Sequence, residues 1–299
     1  MTVLRNLVVN ADDLGLTVGV NNGIFGTYDR GILTSSSVFP NAPATADAIR
    51  RLRVRPSLGV GVHLTLVDGT PMLPPTHVPS LIEDDGRFRA SWKPFIVACL
   101  RGRVALEEVE RELTAQIERV LGEGITLTHL DAHKHVHAFP PIFAIVARLA
   151  ERFRIPVVRV PYERWSPTWG DANQRRTARR QALLNAAMLP WARHNFRTAR
   201  RQGLRTPQFV GRIHTGVLSV DSLAGIVHHL RPGITELMVH PGLVDDELLR
   251  TGTRLLSSRA EEVRLLCAPE THNLLIAEQV GLIRHDLAFS ATRSLRHAS

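Results

Sequence analysis

Short apolar segments of strand length alternate with longer segments of helical periodicity along nearly the whole chain. Successive parallel strands need a crossover connection, and a helix between them supplies it. In a chain of 299 residues with no visible domain boundary, this alternation predicts one α/β domain over residues 1–299. It favours a distorted TIM-like (β/α) barrel over an open sheet. The strand candidates are 7–11, 33–39, 58–66, 125–130, 155–160, 208–213 and 235–239, and the helix candidates are 18–30, 44–53, 91–101, 105–122, 140–152, 219–230, 258–266 and 270–279.

The first strand candidate ends in two adjacent carboxylates, Asp12 and Asp13, followed by Gly15. Successive side chains of a strand point to opposite faces, so the two carboxylates cannot point the same way. One of them can therefore reach a metal ion while the other stays free to handle a proton. An isolated Asp–Asp pair also leaves open the alternative of a helix cap beside a solvated charge.

Other strand candidates also carry polar residues at or just after their carboxyl ends. In a parallel barrel these ends all lie on one face, where catalytic groups from distant parts of the chain converge. The sequence therefore predicts one site built from the ends of several strands. The glycines within the third strand candidate indicate close contact with a neighbouring element. The polar residues in question are Asp12, Asp13, His63, His133, Arg159 and His240.

We assign Asp13, His63 and His133 as metal ligands. Two imidazoles and one carboxylate suit a borderline divalent cation such as Zn²⁺ and leave coordination positions open for water and substrate. Asp12 then remains as the base that takes a proton from the attacking water. A general acid is still needed for the leaving group, and His240 is the candidate.

The segment after the fourth strand candidate is rich in histidine, and alternate histidines share a face if this piece is extended. Only one of them needs to bind the metal. We assign His137, Arg159 and Tyr162 as substrate contacts, and Asp131 as a residue that orients a ligating imidazole. For each of them the alternative is a polar residue bonded to backbone or exposed to solvent.

Three motifs at these positions resemble the signature motifs of YdjC-like carbohydrate deacetylases: NADDLG at 10–15, GVHL at 61–64 and THLDAHKHVH at 128–137. The resemblance runs over nearly the whole chain. It implies a distorted TIM-like barrel and the metal-dependent hydrolysis of an N-acetyl group on an amino sugar. By motif position, the base and the three ligands assigned above match those of the family. Magnesium and zinc are both described for the family, and the ligand set here favours zinc.

The net charge of +9 is concentrated in one segment. Residues 173–205 contain nine arginines and no acidic residue, whereas the rest of the chain carries 28 basic and 28 acidic residues. Apolar residues interleave with these arginines, as in an interfacial helix, so this segment is expected to contact a membrane surface. A solvated Arg-rich helix is the alternative, since the chain has 35 arginines and only two lysines.

The Arg-rich segment, at about residues 171–207, has the character of an insertion. Together with the sequences around Arg159 and His240, it is similar to the branch of the family associated with hopanoid biosynthesis. That resemblance implies a lipid-linked amino-sugar substrate, N-acetylglucosaminyl bacteriohopanetetrol.

No run approaches the roughly 18 apolar residues of a spanning helix, and the N-terminal residues lack the regions of a signal peptide. We therefore expect a cytoplasmic protein, with peripheral contact at the inner face of the cytoplasmic membrane. Cys99 and Cys267 are expected to be reduced. A homodimer is compatible with the chain.

Three other functions stay open. The first is deacetylation of soluble chitooligosaccharides. The second is a metal-dependent sugar isomerase or epimerase on a similar barrel, and the third is a lipid- or polyanion-binding protein that uses the basic segment alone. Nucleic acid is not expected as a partner, because the basic residues lie on one insertion without a recognisable nucleic-acid motif.

Overall fold

The computed structural model describes residues 4–164 and 172–287. Its eight strands pair in parallel, in the order β5-β4-β3-β2-β1-β7-β6, and β8 pairs with the start of β1. Isolated parallel bridges join Val157 to Arg205 and Glu163 to Phe209, at the two ends of this order. The sheet is therefore strongly curved, a parallel-strand half-barrel of the α/β class. The strands are β1 (Arg5–Leu14), β2 (Ser35–Val38), β3 (Gly59–Leu64), β4 (Leu127–Ala132), β5 (Val157–Val158), β6 (Gln208–Val210), β7 (Gly233–Val239) and β8 (Val280–Leu282).

Eight of the helices lie close to the predicted segments, and the first, Val18–Arg30, coincides with its prediction. The fifth strand is shorter than predicted, with two residues in the ladder, because Pro156 and Pro161 flank it and neither can donate a backbone hydrogen bond. Among the described residues, no helix is both long enough and apolar enough to cross a membrane. The helices are α1 (Val18–Arg30), α2 (Thr45–Leu52), α3 (Trp92–Leu100), α4 (Leu106–Leu121), α5 (Pro140–Arg152), α6 (Ala172–Ala187), α7 (Leu189–Arg201), α8 (Val220–His228), α9 (Asp246–Arg250), α10 (Ser257–Cys267) and α11 (Pro269–Ala277).

The Arg-rich segment folds as α6 and α7, between β5 and β6. Residue 171, where the predicted insertion begins, lies outside the described residues. Helix α7 packs against α5, and the side-chain amide of Asn195 donates to the carbonyl of Ala138 at 2.9 Å. The buried residues of α7 are Ala192, Asn195 and Ala199.

The two faces of the sheet differ in polarity. The face toward the helices is apolar: Leu7, Val9 and Ala11 of β1 join the hydrophobic core. The opposite face carries buried polar side chains instead of the branched apolar residues that usually fill a TIM barrel. These include Asn10, Ser35, Ser37, His129 and Glu236. At the carboxyl ends of the strands, this polar layer leads into the candidate site.

The long connection between β3 and α3 is fixed to helix α4 by two buried side chains. Gln116 accepts a hydrogen bond from the backbone N–H of Thr65 at 2.8 Å and donates to its carbonyl at 2.7 Å. Glu112 accepts from the backbone N–H groups of Met72 and Leu73 at 2.7 and 3.0 Å. The chain that follows β3 is therefore held as a wall beside the carboxyl end of that strand.

Close contact at the third strand, which its glycines predict, is present at Gly61. A Cβ atom built there would lie 2.4 Å from Nε2 of His129 on β4. The imidazole of His129 in turn stacks on that of His285, with 3.9 Å between ring centroids. Only a glycine lets these strands and rings pack as they do.

Replacing Gly61→Ala should lower the free energy of unfolding by about 1–3 kcal/mol, because the added methyl group overpacks a buried site. Urea denaturation measures this change. Adding His129→Ala should remove the clash, so the double variant loses less stability than the two single changes summed. Gly69→Ala is the matched control, since its Cβ meets nothing closer than 3.5 Å. Equal stability of Gly61→Ala and wild type would contradict the packing described.

Candidate metal centre

The carboxylates Asp12 and Asp13 lie at an irregularity in the sheet. The pairing of β1 with β2 shifts register between Ala11 and Leu14, and Asp13 has a left-handed backbone with φ of 70°. A bulge of this kind re-aims side chains at the end of a strand. Asp13 consequently faces two histidines, while Asp12 faces a buried arginine.

Asp13, His63 and His133 come together at the carboxyl ends of the strands. Oδ1 of Asp13 is 3.4 Å from Nε2 of His63 and 3.4 Å from Nδ1 of His133. One potential ligand atom from each residue lies within 4.8 Å of the other two. The three residues predicted as ligands are thus close enough to hold one cation.

In both His63 and His133, the ring nitrogen that does not face Asp13 lies near another carboxylate. Nδ1 of His63 is 2.8 Å from Oδ1 of Asp131, and Nε2 of His133 is 3.6 Å from Oδ2 of Asp68. A carboxylate in this position fixes the tautomer and direction of a metal-binding imidazole. The ring of Phe39 packs edge-on against both imidazoles, at 4.9 and 5.0 Å. The contact of Asp131 with His63 fits the orienting role predicted for it, whereas Asp68, in the loop that follows the third strand, was not among the predicted site residues.

The carboxylates around His63 also change its protonation. Burial alone would lower the pKa of His63, but the charge and hydrogen bond of Asp131, with the charges of Asp12 and Asp13, raise it above the usual value. A cation binds the neutral ring, so binding has to displace a proton. Metal affinity at this site should therefore fall as the pH becomes acidic.

Arg159 is buried, with 1% of its surface exposed, and it binds three carboxylates. Its two Nη atoms donate to the two oxygens of Asp12, both at 2.7 Å. Nη2 also lies 2.9 Å from Oδ2 of Asp131 and 2.6 Å from Oε1 of Glu236. The structure thus places the guanidinium of Arg159 in an enclosed cluster of carboxylates, and the predicted contact with substrate stays a prediction.

The ion pair with Arg159 decides the charge of Asp12. Burial would raise the pKa of the Asp12 carboxyl, but the charge and hydrogen bonds of Arg159 hold it well below its usual range. Asp12 is therefore ionised at any physiological pH and able to accept a proton.

Asp12, His63 and Asp131 form a second group with suitable spacing for a cation. Arg159 lies within 2.9 Å of both carboxylates, so its positive charge repels a metal ion there. The group around Asp13 is the better candidate.

Helix α10 supplies two further residues that the sequence analysis missed. Nη2 of Arg259 donates to Oδ2 of Asp13 at 2.5 Å, and Oε2 of Glu262 accepts from the backbone N–H of His240 at 2.5 Å. Neither residue follows a strand, so the rule that located the other site residues could not find them. Burial lowers the pKa of His240 to about 4 although Asp13 and Asp12 act in the opposite direction, so its ring is neutral at neutral pH.

The charge balance suits a divalent cation. When the imidazoles are neutral, as metal binding requires, the four buried carboxylates that contact Arg159 and Arg259 leave two negative charges in excess. Uncompensated charge is costly in a buried site. A bound dication would neutralise this excess, and the oxygen and nitrogen donors present are those that such ions prefer.

His137 and Tyr162 lie apart from the ligands. Residues His133–Ala138 form a 3₁₀ turn in which Lys134 and His135 have positive φ, so the histidines do not share one face as predicted. His137 is fully buried, and its Nε2 is 2.9 Å from the carbonyl oxygen of Arg159. His137 therefore contacts the main chain beside Arg159, and its predicted role as a substrate contact stays a prediction.

Tyr162 lines a cavity of about 950 Å³ beside α7 and α8. Phe196 and Ile226 also line it, whereas none of the three candidate metal ligands does. Tyr162 is thus placed at this cavity and not among the candidate ligands, and its predicted contact with substrate stays a prediction.

Fold and site together define an α/β protein with a candidate divalent-metal centre at the carboxyl ends of its parallel strands. The chain belongs to the YdjC-like protein family, whose profile matches residues 6–277. The predicted family is therefore confirmed.

Individual relatives match over most of their length. The chain is 34% identical over 278 residues to a carbohydrate deacetylase of Brevibacillus brevis, covering 93% of this chain and 97% of that one. It is 34% identical over 266 residues to a carbohydrate deacetylase of Geobacillus stearothermophilus, covering 89% and 90%. Among solved structures, it resembles a proposed cellobiose-phosphate cleavage protein of Enterococcus faecalis V583, with a TM-score of 0.75, 25% identity and coverage of 95% and 98%.

Replacing His63→Ala should abolish stoichiometric binding of a divalent cation, with Zn²⁺ as the probe, because it removes one of the three candidate ligands. Elemental analysis of the purified protein and titration calorimetry of the metal-free protein measure this. Asp131→Asn should weaken binding by about 10- to 100-fold, since it loosens the His63 ring without removing a ligand. His228→Ala, which changes an exposed histidine on α8, is the control. Unchanged zinc content in His63→Ala would remove that residue from the site.

Proposed function

We propose that the protein is a metal-dependent N-deacetylase that releases acetate from an N-acetylglucosamine group. Its family and its relatives make it a hydrolytic carbohydrate deacetylase. The observation that carries the proposed mechanism is the group of Asp13, His63 and His133 beside the separate, ionised carboxylate of Asp12.

A bound divalent cation would polarise the amide carbonyl and lower the pKa of the attacking water. We favour zinc for this role. Two imidazoles and one carboxylate are donors that would suit zinc, whereas magnesium prefers oxygen ligands.

Asp12 is the proposed base. Its ion pair with Arg159 keeps it ionised and fixes the direction of its oxygens, so it can accept the proton of the attacking water without reorganising. The same ion pair weakens Asp12 as a base. The function of Arg159 is therefore to orient the carboxylate.

His240 is the proposed acid. Its lowered pKa makes the protonated ring a strong proton donor, but the resting ring is neutral and must first gain a proton. Asp12, whose charge acts on His240, carries the proton of the attacking water after the attack. We propose that this proton passes to His240 and from His240 to the leaving amine. An amine leaves readily only when protonated, so this transfer completes amide hydrolysis.

Two substitutions should separate base from acid. Asp12→Asn should lower acetate release from N-acetylglucosamine oligomers by at least about 10³-fold with zinc content unchanged, because the proposed base is removed while the candidate ligands stay. His240→Asn should lower amide hydrolysis by about 10²-fold yet retain hydrolysis of an aryl acetate, whose leaving group needs no protonation. Steady-state kinetics on both substrates measure this. Equal losses on amide and ester for His240→Asn would exclude the acid role.

We propose further that the sugar is lipid-linked, as in N-acetylglucosaminyl bacteriohopanetetrol, and that α6 and α7 form an insertion on one YdjC-like domain of a distorted barrel that meets the membrane surface. Among its arginines, α6 exposes Leu183 and Leu184, at 74% and 43% of their surfaces. Exposed leucines beside cationic side chains suit the boundary between lipid headgroups and acyl chains.

Sedimentation with vesicles tests this surface. The protein should bind phosphatidylglycerol vesicles more strongly than phosphatidylcholine vesicles, because anionic lipid attracts the arginines. Replacing Leu183 and Leu184 with serine should weaken that binding, whereas Leu100→Ser, at an exposed leucine on α3, should not. Mass spectrometry should show loss of one acetyl group from N-acetylglucosaminyl hopanoid faster than from chitooligosaccharides. A preference for the soluble oligomers, with no vesicle binding, would favour the alternative substrate.

A further inference from the structure

Arg259 is one of the largest fully buried side chains of the protein, with 1% of its surface exposed. It extends from α10 into the metal centre and uses all three guanidinium nitrogens. Nε donates to the carbonyl of Leu255 at 3.1 Å, and Nη1 lies 3.5 Å from the carbonyl of His240. Nη2 donates to Oδ2 of Asp13 at 2.5 Å.

The two oxygens of the Asp13 carboxylate have different partners. Oδ2 is taken by Arg259, whereas Oδ1 is the oxygen that faces His63 and His133. A cation at the three-residue group therefore meets Asp13 through one oxygen.

Glu262, one helical turn after Arg259, acts on the candidate acid. Its Oε2 accepts the backbone N–H of His240, and its side chain is 2% exposed. Residues three apart on a helix lie on the same face, so α10 holds the main chain of His240 at its N–H through Glu262 and at its carbonyl through Arg259.

We propose that Arg259 and Glu262 are positioning residues of the deacetylation reaction, through which α10 sets the distance between the metal ligand Asp13 and the acid His240. This inference rests on the proposed function, because it takes the roles of Asp13 and His240 from it. Arg259 presents Asp13 as a ligand with a single free oxygen. Glu262 fixes the main chain from which the imidazole of His240 extends.

Fold stability alone gives no reason for these groups. Burying an ion pair removes both charges from water, and well-packed apolar side chains of similar size often serve stability equally well or better. Apolar side chains at these positions would lose the hydrogen bonds that hold Asp13 and the main chain of His240 in place. The proposal therefore predicts effects on metal binding and turnover that do not follow stability.

The test uses the full-length protein with four variants at the two positions, Arg259→Met, Arg259→Lys, Glu262→Met and Glu262→Gln. The controls are Arg264→Met and Glu261→Met, which change the exposed ion pair on the same helix. Calorimetry with Zn²⁺ added to metal-free protein measures affinity, and the visible absorption of added Co²⁺ reports ligand geometry. Kinetics on an N-acetylglucosamine oligomer give kcat and KM separately.

Arg259→Met should weaken zinc binding by about 10- to 100-fold and change the cobalt spectrum, because its partner is a ligand. Arg259→Lys should recover about tenfold of that loss, since an ammonium group can still hold Oδ2. Glu262→Met should leave zinc affinity within about threefold of wild type but lower kcat by about tenfold or more at similar KM. Glu262→Gln should recover the rate, because its amide oxygen accepts the same N–H.

Zinc affinity of Arg259→Met equal to that of Arg264→Met would overturn the role of Arg259. Failure of the lysine variant to recover any affinity would also overturn it. Loss of metal in Glu262→Met to the extent seen in Arg259→Met would overturn the separate role of Glu262. Should Arg259→Met fail to fold, the Arg259→Lys and Glu262 variants carry the test. A wild-type protein that binds zinc but releases no acetate would refute the proposed function and leave the zinc measurements on Arg259 valid.

Discussion

The buried ion pairs of Arg159 connect the strands that build the site. Arg159 follows β5, and it binds carboxylates from β1, β4 and β7. Such a network adds little to stability over an apolar core, because desolvation costs several kcal/mol per ion, yet removal of one partner costs about 3–5 kcal/mol. The relative placement of the strand ends therefore depends on the guanidinium of Arg159. The inner face of the sheet is polar because it has to supply the carboxylates that pair with this group.

The ligand group could be predicted from the sequence, because parallel strands bring their carboxyl ends to one face wherever the strands occur in the chain. Asp13, His63 and His133 each stand at or directly after a clear strand candidate. The alternation of side chains along β1 also separates Asp12 from Asp13, and the bulge in the structure sharpens that separation. Most helices and strands follow from periodicity for the same reason: each buries one face.

The partners of the ligand group could not be predicted in this way. Arg259 and Glu262 lie on α10, in a stretch whose charged residues resemble those of a solvated helix, and only the packing of α10 against α1 brings them in. Asp68 lies in the long loop after β3, and hydrophobic periodicity does not give the path of a loop. For His137, the expectation of extended backbone failed, because Lys134 and His135 adopt left-handed conformations, which sequence periodicity does not reveal.

The anchoring of the β3–α3 connection by Glu112 and Gln116 has a consequence for how a sugar is received. Much of this segment loses its conformational freedom when the protein folds, since buried helical side chains hold its backbone. A ligand that contacts this segment does not have to order its backbone on binding. Little of the binding free energy is therefore lost to conformational entropy there. Selectivity on this side of the site then comes from shape that exists before the encounter.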